Sequence, residues 1–255
     1  VVVIPHHHRA DLLPAALAAV AGWPCIVVDD GPSGRPSPAL PAAVDCLRTA
    51  GDRGFAATAN LGLSRAQAQG AGWVLLLNDD AVPELGCVEA LLAAGGPQVG
   101  AVGPVLLGPQ GVESAGVGQR WWGRVRQHRE VPSSIREVQG LSGACLLVPA
   151  WARFDEAFPH GFEDLALCRH MQWLGLRCLL VPQACCQHLG GASLGRATAA
   201  AQRHAVHGHL RLTGGGWRSP AVLGLALAQV LREGGPRDRL GGIVQGWWDW
   251  RRGPR

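Results

Sequence analysis

The chain has 255 residues, 47% of them hydrophobic and 16% charged, a balance that suits a globular α/β domain and excludes a disordered one. All 23 basic residues are arginine, so a Walker-type phosphate loop, a Schiff base and pyridoxal phosphate attachment are excluded. The net charge of +4 is too mild to argue for nucleic acid. No apolar run reaches the roughly 18 residues of a membrane-spanning helix, and no secretory signal is expected at the N-terminus. Eight cysteines without C-x-x-C spacing read as small apolar core residues in a reducing compartment, with zinc and disulfides disfavoured. A cytoplasmic protein is the expectation.

In chain order, "VVVIP" is a β-branched run ended by proline, as a buried parallel strand should be. The spacing predicts a helix over 10–22, with Asp11 near its start, then a strand over 25–31, "CIVVDDG", ending on two acids. A Pro/Ser/Gly-rich loop leads to a weaker strand, "VDCLRT", and a helix over 55–72. "WVLLLNDD" is a third buried strand ending in acids, and 83–96 reads as helix. Strand and helix in alternation predict a mostly parallel sheet flanked by helices, whose ligands bind outside the carboxyl ends of the strands. Both acid pairs lie there.

From about residue 99 the rhythm changes. Stretches 99–107, 111–118 and 141–149 are strand-like, 163–175 is helical, "LRCLLVP" is a strand, and the chain is helical again after Gly195. Glu163 and Asp164 open a helix, where the macrodipole stabilises a carboxylate. His188 is expected just beyond a strand end, before a glycine-rich loop able to approach a phosphate. Each of these acids also suits a turn or a helix cap, so the combination carries more weight than any one of them. Residues 231–255 hold six arginines against three acids, with Trp247, Trp248 and Trp250 beside them. That mixture suits either the surface of an anionic membrane or a helix packed on the main domain.

The stretches "IVVDDG", "DRGFAATANLG", "WVLLLNDDAVP", "VGAVGPVLL", "LSGACLLV", "FDEAF", "GFEDLALC" and "GLRCLLVPQACCQHLGGAS" follow one another in a familiar order. In them the chain resembles the family 2 inverting glycosyltransferases of the GT-A fold, closest to the rhamnosyltransferase-like branch. The resemblance implies a GT-A domain over 1–212 and leaves 213–255 as a helical appendage. It implies a metal-dependent transfer of sugar from a dTDP-, UDP- or GDP-sugar to a hydroxyl acceptor, in a glycan, a lipid-linked precursor or a small molecule. Cell-surface polysaccharide or glycoconjugate synthesis is the expected setting, on the inner face of the cell membrane where the tail attaches.

By the same resemblance, Asp80 and His188 hold Mn²⁺ or Mg²⁺, since oxygen ligands suit both ions and the imidazole tilts the balance toward Mn²⁺. Asn78 and Asp79 flank the metal or the ribose. Asp29 binds the nucleotide base, Arg53, Gly54 and Asn60 line the nucleotide pocket, and Pro5, His6 and His8 border base and ribose. Asp164 is the base that deprotonates the acceptor, and Glu163 holds acceptor or orients the helix end. Two departures stand out: the spacer "PAWAR" is short, and Ala166 replaces a second acid. They keep a non-catalytic nucleotide-sugar-binding homologue in view. A sugar nucleotidyltransferase is a weaker alternative, because "IPHHHRADLL" contains neither glycine nor lysine.

Overall fold

The short β-branched runs split their side chains between two faces, as alternation along a strand requires. Val2 and Ile4, Cys25 and Val27, and Leu75 and Leu77 join one buried cluster, while Val3, Ile26 and Val28, and Val74 and Leu76 join the other. Both faces are therefore covered, and each fully buried Val or Leu contributes roughly 1.5–3 kcal/mol. The computed structural model that shows this describes residues 1–7, 9–32, 34, 37–119, 125–158, 161–188, 198–214, 219–232 and 238–252.

The strands are β1 (Val2–His6), β2 (Cys25–Asp29), β3 (Asp45–Arg48), β4 (Trp73–Leu77), β5 (Ala81–Pro83), β6 (Val99–Gly108), β7 (Gly111–Ser114), β8 (Val117–Gln119), β9 (Val125–Gln127), β10 (Arg136–Glu137), β11 (Cys145–Pro149) and β12 (Arg177–His188). The helices are α1 (Leu13–Ala19), α2 (Phe55–Ala68), α3 (Cys87–Ala93), α4 (Glu163–Trp173), α5 (Ala199–Thr213), α6 (Ser219–Arg232) and α7 (Asp238–Arg252). The main sheet runs β10-β12-β6-β11-β4-β1-β2-β3, with β5 on β12 and β7 on β6, and β8 pairs with β9 separately. Strands β3, β2, β1 and β4 are mutually parallel, as are β6 and β12, while β11 lies antiparallel between β4 and β6. This is the mostly parallel, helix-flanked sheet that the alternation predicts.

Several boundaries differ from the sequence reading. Helix α1 starts at Leu13, because Asp11 is held outside it by Arg9 at 2.9 Å and Pro14 occupies the first turn. Pro83 lies in β5 opposite Cys186, and α3 begins only at Cys87, after Gly86 in the left-handed region. Strand β12 does not stop at Pro182: a register irregularity between Val181 and Cys185 absorbs the proline and the strand runs on to His188. His188 is thus the last strand residue rather than a residue beyond it. The eight cysteines are all free and six are buried.

Close backbone approaches fix the helices. A Cβ at Gly62 on α2 would lie 2.3 Å from Val3 Cγ1, so α2 sits tight against β1. Gly242 and Gly246 play the same part in α7, where a Cβ would fall 2.4 Å from the carbonyls of Ala199 and Arg203 on α5. Helix α5 shares a core with α6 and α7 around Val206, Leu210, Val222 and Ile243. Its last turn also reaches the sheet domain, where Leu212 packs with Val117, Phe158 and Leu165.

Candidate active site

The carboxyl ends of β1 and β4, the loop before α2 and the start of α4 enclose a cleft of about 350 Å³. Pro5, His6, Gly54, Asn78, Asp79, Glu163, Asp164 and His188 from the sequence reading all line it. So do His7, between the two histidines of that reading, and Asp30, Asp52 and Gly143, which it did not assign. His8 lies outside the described residues, as does the glycine pair 190–191.

Register explains the first contact. Val3 pairs with Leu76, so three residues on, His6 stands level with Asp79. The His6 Nδ1 meets Asp79 Oδ2 at 2.8 Å, and both side chains are buried. Among the described residues, His6 Nε2 is buried and has no hydrogen-bond partner. The histidine therefore braces Asp79 within the same cleft. His7 turns the other way and meets Asp52 at 2.7 Å across the cleft mouth. Asp52 has a φ of 50°, in the left-handed region that Asp tolerates better than most residues.

At the end of β2 the two acids divide. Asp29 points away from the cleft, accepts from the Gly31 N–H at 3.0 Å and faces Arg48 at 3.6 Å. Asp30 faces the cleft, accepting from the N–H groups of Arg53 at 3.0 Å and Gly54 at 2.9 Å and from Thr49 Oγ1. Its carboxylate thereby fixes the turn that launches α2. Arg53 and Asn60 line a separate polar hollow with Arg153 and Glu156. Asn60 is committed to the fold: it donates to the Phe154 carbonyl and Glu156 Oε1, each at 3.0 Å, and accepts from the Phe154 N–H at 2.8 Å.

Helix α4 opens after Phe162, which has φ 71° and no side-chain cap. One orphan N–H group of its first turn, that of Leu165, is met by the helix's own Asp164. Asp164 Oδ1 accepts from the Leu165 N–H at 2.7 Å and Oδ2 from the Gly143 N–H at 2.9 Å. Burial raises the Asp164 pKa, and these backbone donors oppose it. Burial, followed by the charge of Asp164, pushes Glu163 up to about 8, and among the described residues its Oε2 is buried without a hydrogen-bond partner. Of the two adjacent carboxyls, Glu163 is the one that keeps its proton at neutral pH.

Glu163 therefore weakens the fold as pH rises. Its folded pKa of about 8 exceeds the ordinary 4.5, so the folded state holds a proton that the unfolded state releases, and stability falls between those limits by about 1.4 kcal/mol per pH unit. Glu163→Gln is expected to melt like the parent at pH 4 and several degrees above it at pH 8. Equal melting temperatures of parent and variant at pH 8 would contradict this account of the burial.

His188 ends β12 at the rim of the cleft, with Nε2 3.4 Å from Asp80 Oδ1 and Nδ1 3.0 Å from Glu113 Oε2. Burial lowers the His188 pKa, but hydrogen bonds and charge from Asp80 and Glu113 outweigh it and hold the group at about 9. Among the described residues no group of three or more His, Cys, Asp or Glu side chains is arranged to hold a metal ion. Two facing donors, an oxygen and a nitrogen, nevertheless fit an ion of the Mg²⁺ or Mn²⁺ type, which takes one or two protein ligands and completes its shell with water and substrate phosphates.

Acids at the carboxyl ends of neighbouring parallel strands, with a carboxyl pair opening a helix over the same cleft, define an α/β protein whose cleft lies where such sheets hold their ligands. The chain belongs to glycosyl transferase family 2, whose family model matches residues 1–148. No curated protein sequence matches the chain. Among solved structures, GalNAc-T7 with UDP, GalNAc and Mn²⁺ is similar over 84% of this chain, with a TM-score of 0.63 and 13% identity. The chain spans 47% of the length of that protein. The mannosyltransferase PcManGT from Pyrobaculum calidifontis, in complex with GDP-Man and Mn²⁺, is similar over 97% of this chain and 84% of its own, with a TM-score of 0.52 and 14% identity. The fold is that of the GT-A glycosyltransferases.

Proposed function

We propose that the protein is a metal-dependent inverting glycosyltransferase of the rhamnosyltransferase-like branch. It moves a hexose from a dTDP-, UDP- or GDP-sugar to a hydroxyl of a growing cell-surface polysaccharide or glycoconjugate. The observation that carries this reading is one cleft lined by Asp79 and His188 on one side and by Glu163 and Asp164 on the other. Family membership supports it, and the two structural neighbours carry UDP or GDP-Man together with Mn²⁺.

Asp80 and His188 would hold the metal. Bound there, Mn²⁺ or Mg²⁺ supplies the positive charge that a departing diphosphate needs. Asp79, braced by His6, and Asn78 border the donor. Asp164 receives the proton of the acceptor hydroxyl on the opposite face, and the helix terminus together with the Gly143 N–H keeps its carboxylate ready as a base. Glu163 beside it stays protonated, so the pair carries one negative charge instead of two. A melting-temperature screen of UDP, GDP and dTDP with Mn²⁺ tests the donor site; no stabilisation by any of the three would sink the reading.

The C-terminal helices fit the membrane half of the proposal. Leu240, Val244 and Trp248 recur every fourth residue along α7 and are 38%, 56% and 46% exposed. The guanidiniums of Arg251 and Arg252 stack over Trp247 and Trp248 at 5.0 and 5.8 Å. Among the described residues no helix is long and apolar enough to cross a membrane, and an exposed apolar stripe beside arginines suits peripheral attachment to an anionic surface. Flotation with anionic vesicles is expected to recover the full chain and to lose one ended near Gly235. Equal recovery of the two chains would remove membrane attachment from the proposal.

A further inference from the structure

Glu113 is absent from the motifs that brought the active site into view, yet it meets His188 at 3.0 Å. The pairing of β6 with β7 explains how it gets there. Leu107 is opposite Val112 and Leu106 is opposite Ser114, so Glu113 is the extra residue of a β-bulge. Bulges re-aim a side chain out of the regular alternation and are common beside active sites. Here the re-aimed side chain reaches across the end of β6 to the last residue of β12. Gly108 leaves the room: a Cβ there would lie 3.3 Å from Glu113 Oε2 and 3.8 Å from the His188 carbonyl.

We propose that Glu113 is a positioning residue for His188. By accepting from Nδ1–H it holds the ring in place and turns Nε2 toward Asp80 Oδ1, which lies 3.4 Å away. A metal-binding histidine commonly hands its second ring nitrogen to a carboxylate, and loss of that partner typically costs 10–100-fold in metal affinity. Glu113 is not among the residues lining the cleft and acts through His188. The inference rests on the metal role of Asp80 and His188 proposed above.

The test is Mn²⁺ uptake by the full chain at pH 8, read from the loss of the free-ion signal in electron paramagnetic resonance. Glu113→Ala is expected to weaken Mn²⁺ binding about 10–100-fold while melting within a few degrees of the parent, because Glu113 is partly exposed on a short strand. Glu113→Gln keeps an oxygen that accepts from Nδ1–H, and it is expected to restore binding to within a few-fold of the parent. Should the alanine variant fold poorly, Glu113→Thr suits a strand and removes the same contact. Parental affinity in the alanine or threonine variant overturns the proposal. So does a glutamine variant as weak as alanine, since the charge of Glu113 and not its placement of the ring would then matter. A parent chain that takes up no Mn²⁺ removes the metal reading itself, an outcome distinct from both.

Discussion

Asp164→Asn is expected to lower sugar transfer by about 10²- to 10⁴-fold, the range a positioned general base contributes, while nucleotide binding stays at the parental level. Asparagine keeps an oxygen to accept from the Gly143 N–H and differs little in volume, so the start of α4 should hold its place. What it loses is the ability to take a proton. The amide nitrogen also replaces one of two oxygens that accept from backbone N–H groups at 2.7 and 2.9 Å, so melting temperature belongs beside activity in the comparison. Rate lost with nucleotide affinity and melting intact identifies the base. Unchanged turnover would remove Asp164 from that role, and an inactive parent that still binds nucleotide would favour the non-catalytic homologue.

The second large effect falls at the rim of the cleft, where Asp80 faces His188 from just behind the lining. A nucleoside diphosphate with Mn²⁺ at 100 times its Kd stabilises the fold by about 2.7 kcal/mol, which is roughly 5–10 °C for a chain of this size. Asp80→Asn is expected to remove most of that shift, and chelation of the metal should do the same to the parent. The substitution exchanges an anionic ligand for a neutral amide at nearly constant volume. Asp80 is 5% exposed and faces His188, so the unliganded melting temperature supplies the baseline. A full Mn²⁺-dependent shift in the variant would take the metal away from Asp80.

Much of this was legible in the residues. Short β-branched runs alternating with helical spacing give a parallel sheet covered on both faces, because each strand must bury both sides. Acids placed directly after such runs fall at the carboxyl edge, where α/β sheets bind their ligands. The order of motifs from "IVVDDG" to "QHLGG" led to the family that the model over 1–148 establishes. Glu163 and Asp164 were visible as a pair at a helix start, and the structure puts both in the cleft.

Other features depend on partners distant in the chain. Asp29 and Asp30 are chemically identical neighbours, and strand alternation sends one to Arg48 and the other into the cleft. Residue type alone offers no way to choose between them. The three histidines look alike in "IPHHHRADLL", but register with β4 buries His6 under Asp79 while His7 crosses to Asp52. Arg53 and Asn60 sit within the motif that suggested a nucleotide pocket, yet Arg53, just before α2, and Asn60, on it, both turn toward the hollow lined by Arg153 and Glu156.

Local sequence thus sets which chemical groups stand at the ends of which strands and helices, since periodicity, proline and chain order act over a few residues. The partners of those groups follow from pairing between strands far apart in sequence. Glu113 shows the difference most plainly. "GVES" gives no sign of an active-site residue, and only the bulge against β6, with β12 alongside, carries its carboxylate to His188. One residue more or less in that hairpin would turn the side chain to the other face of the sheet.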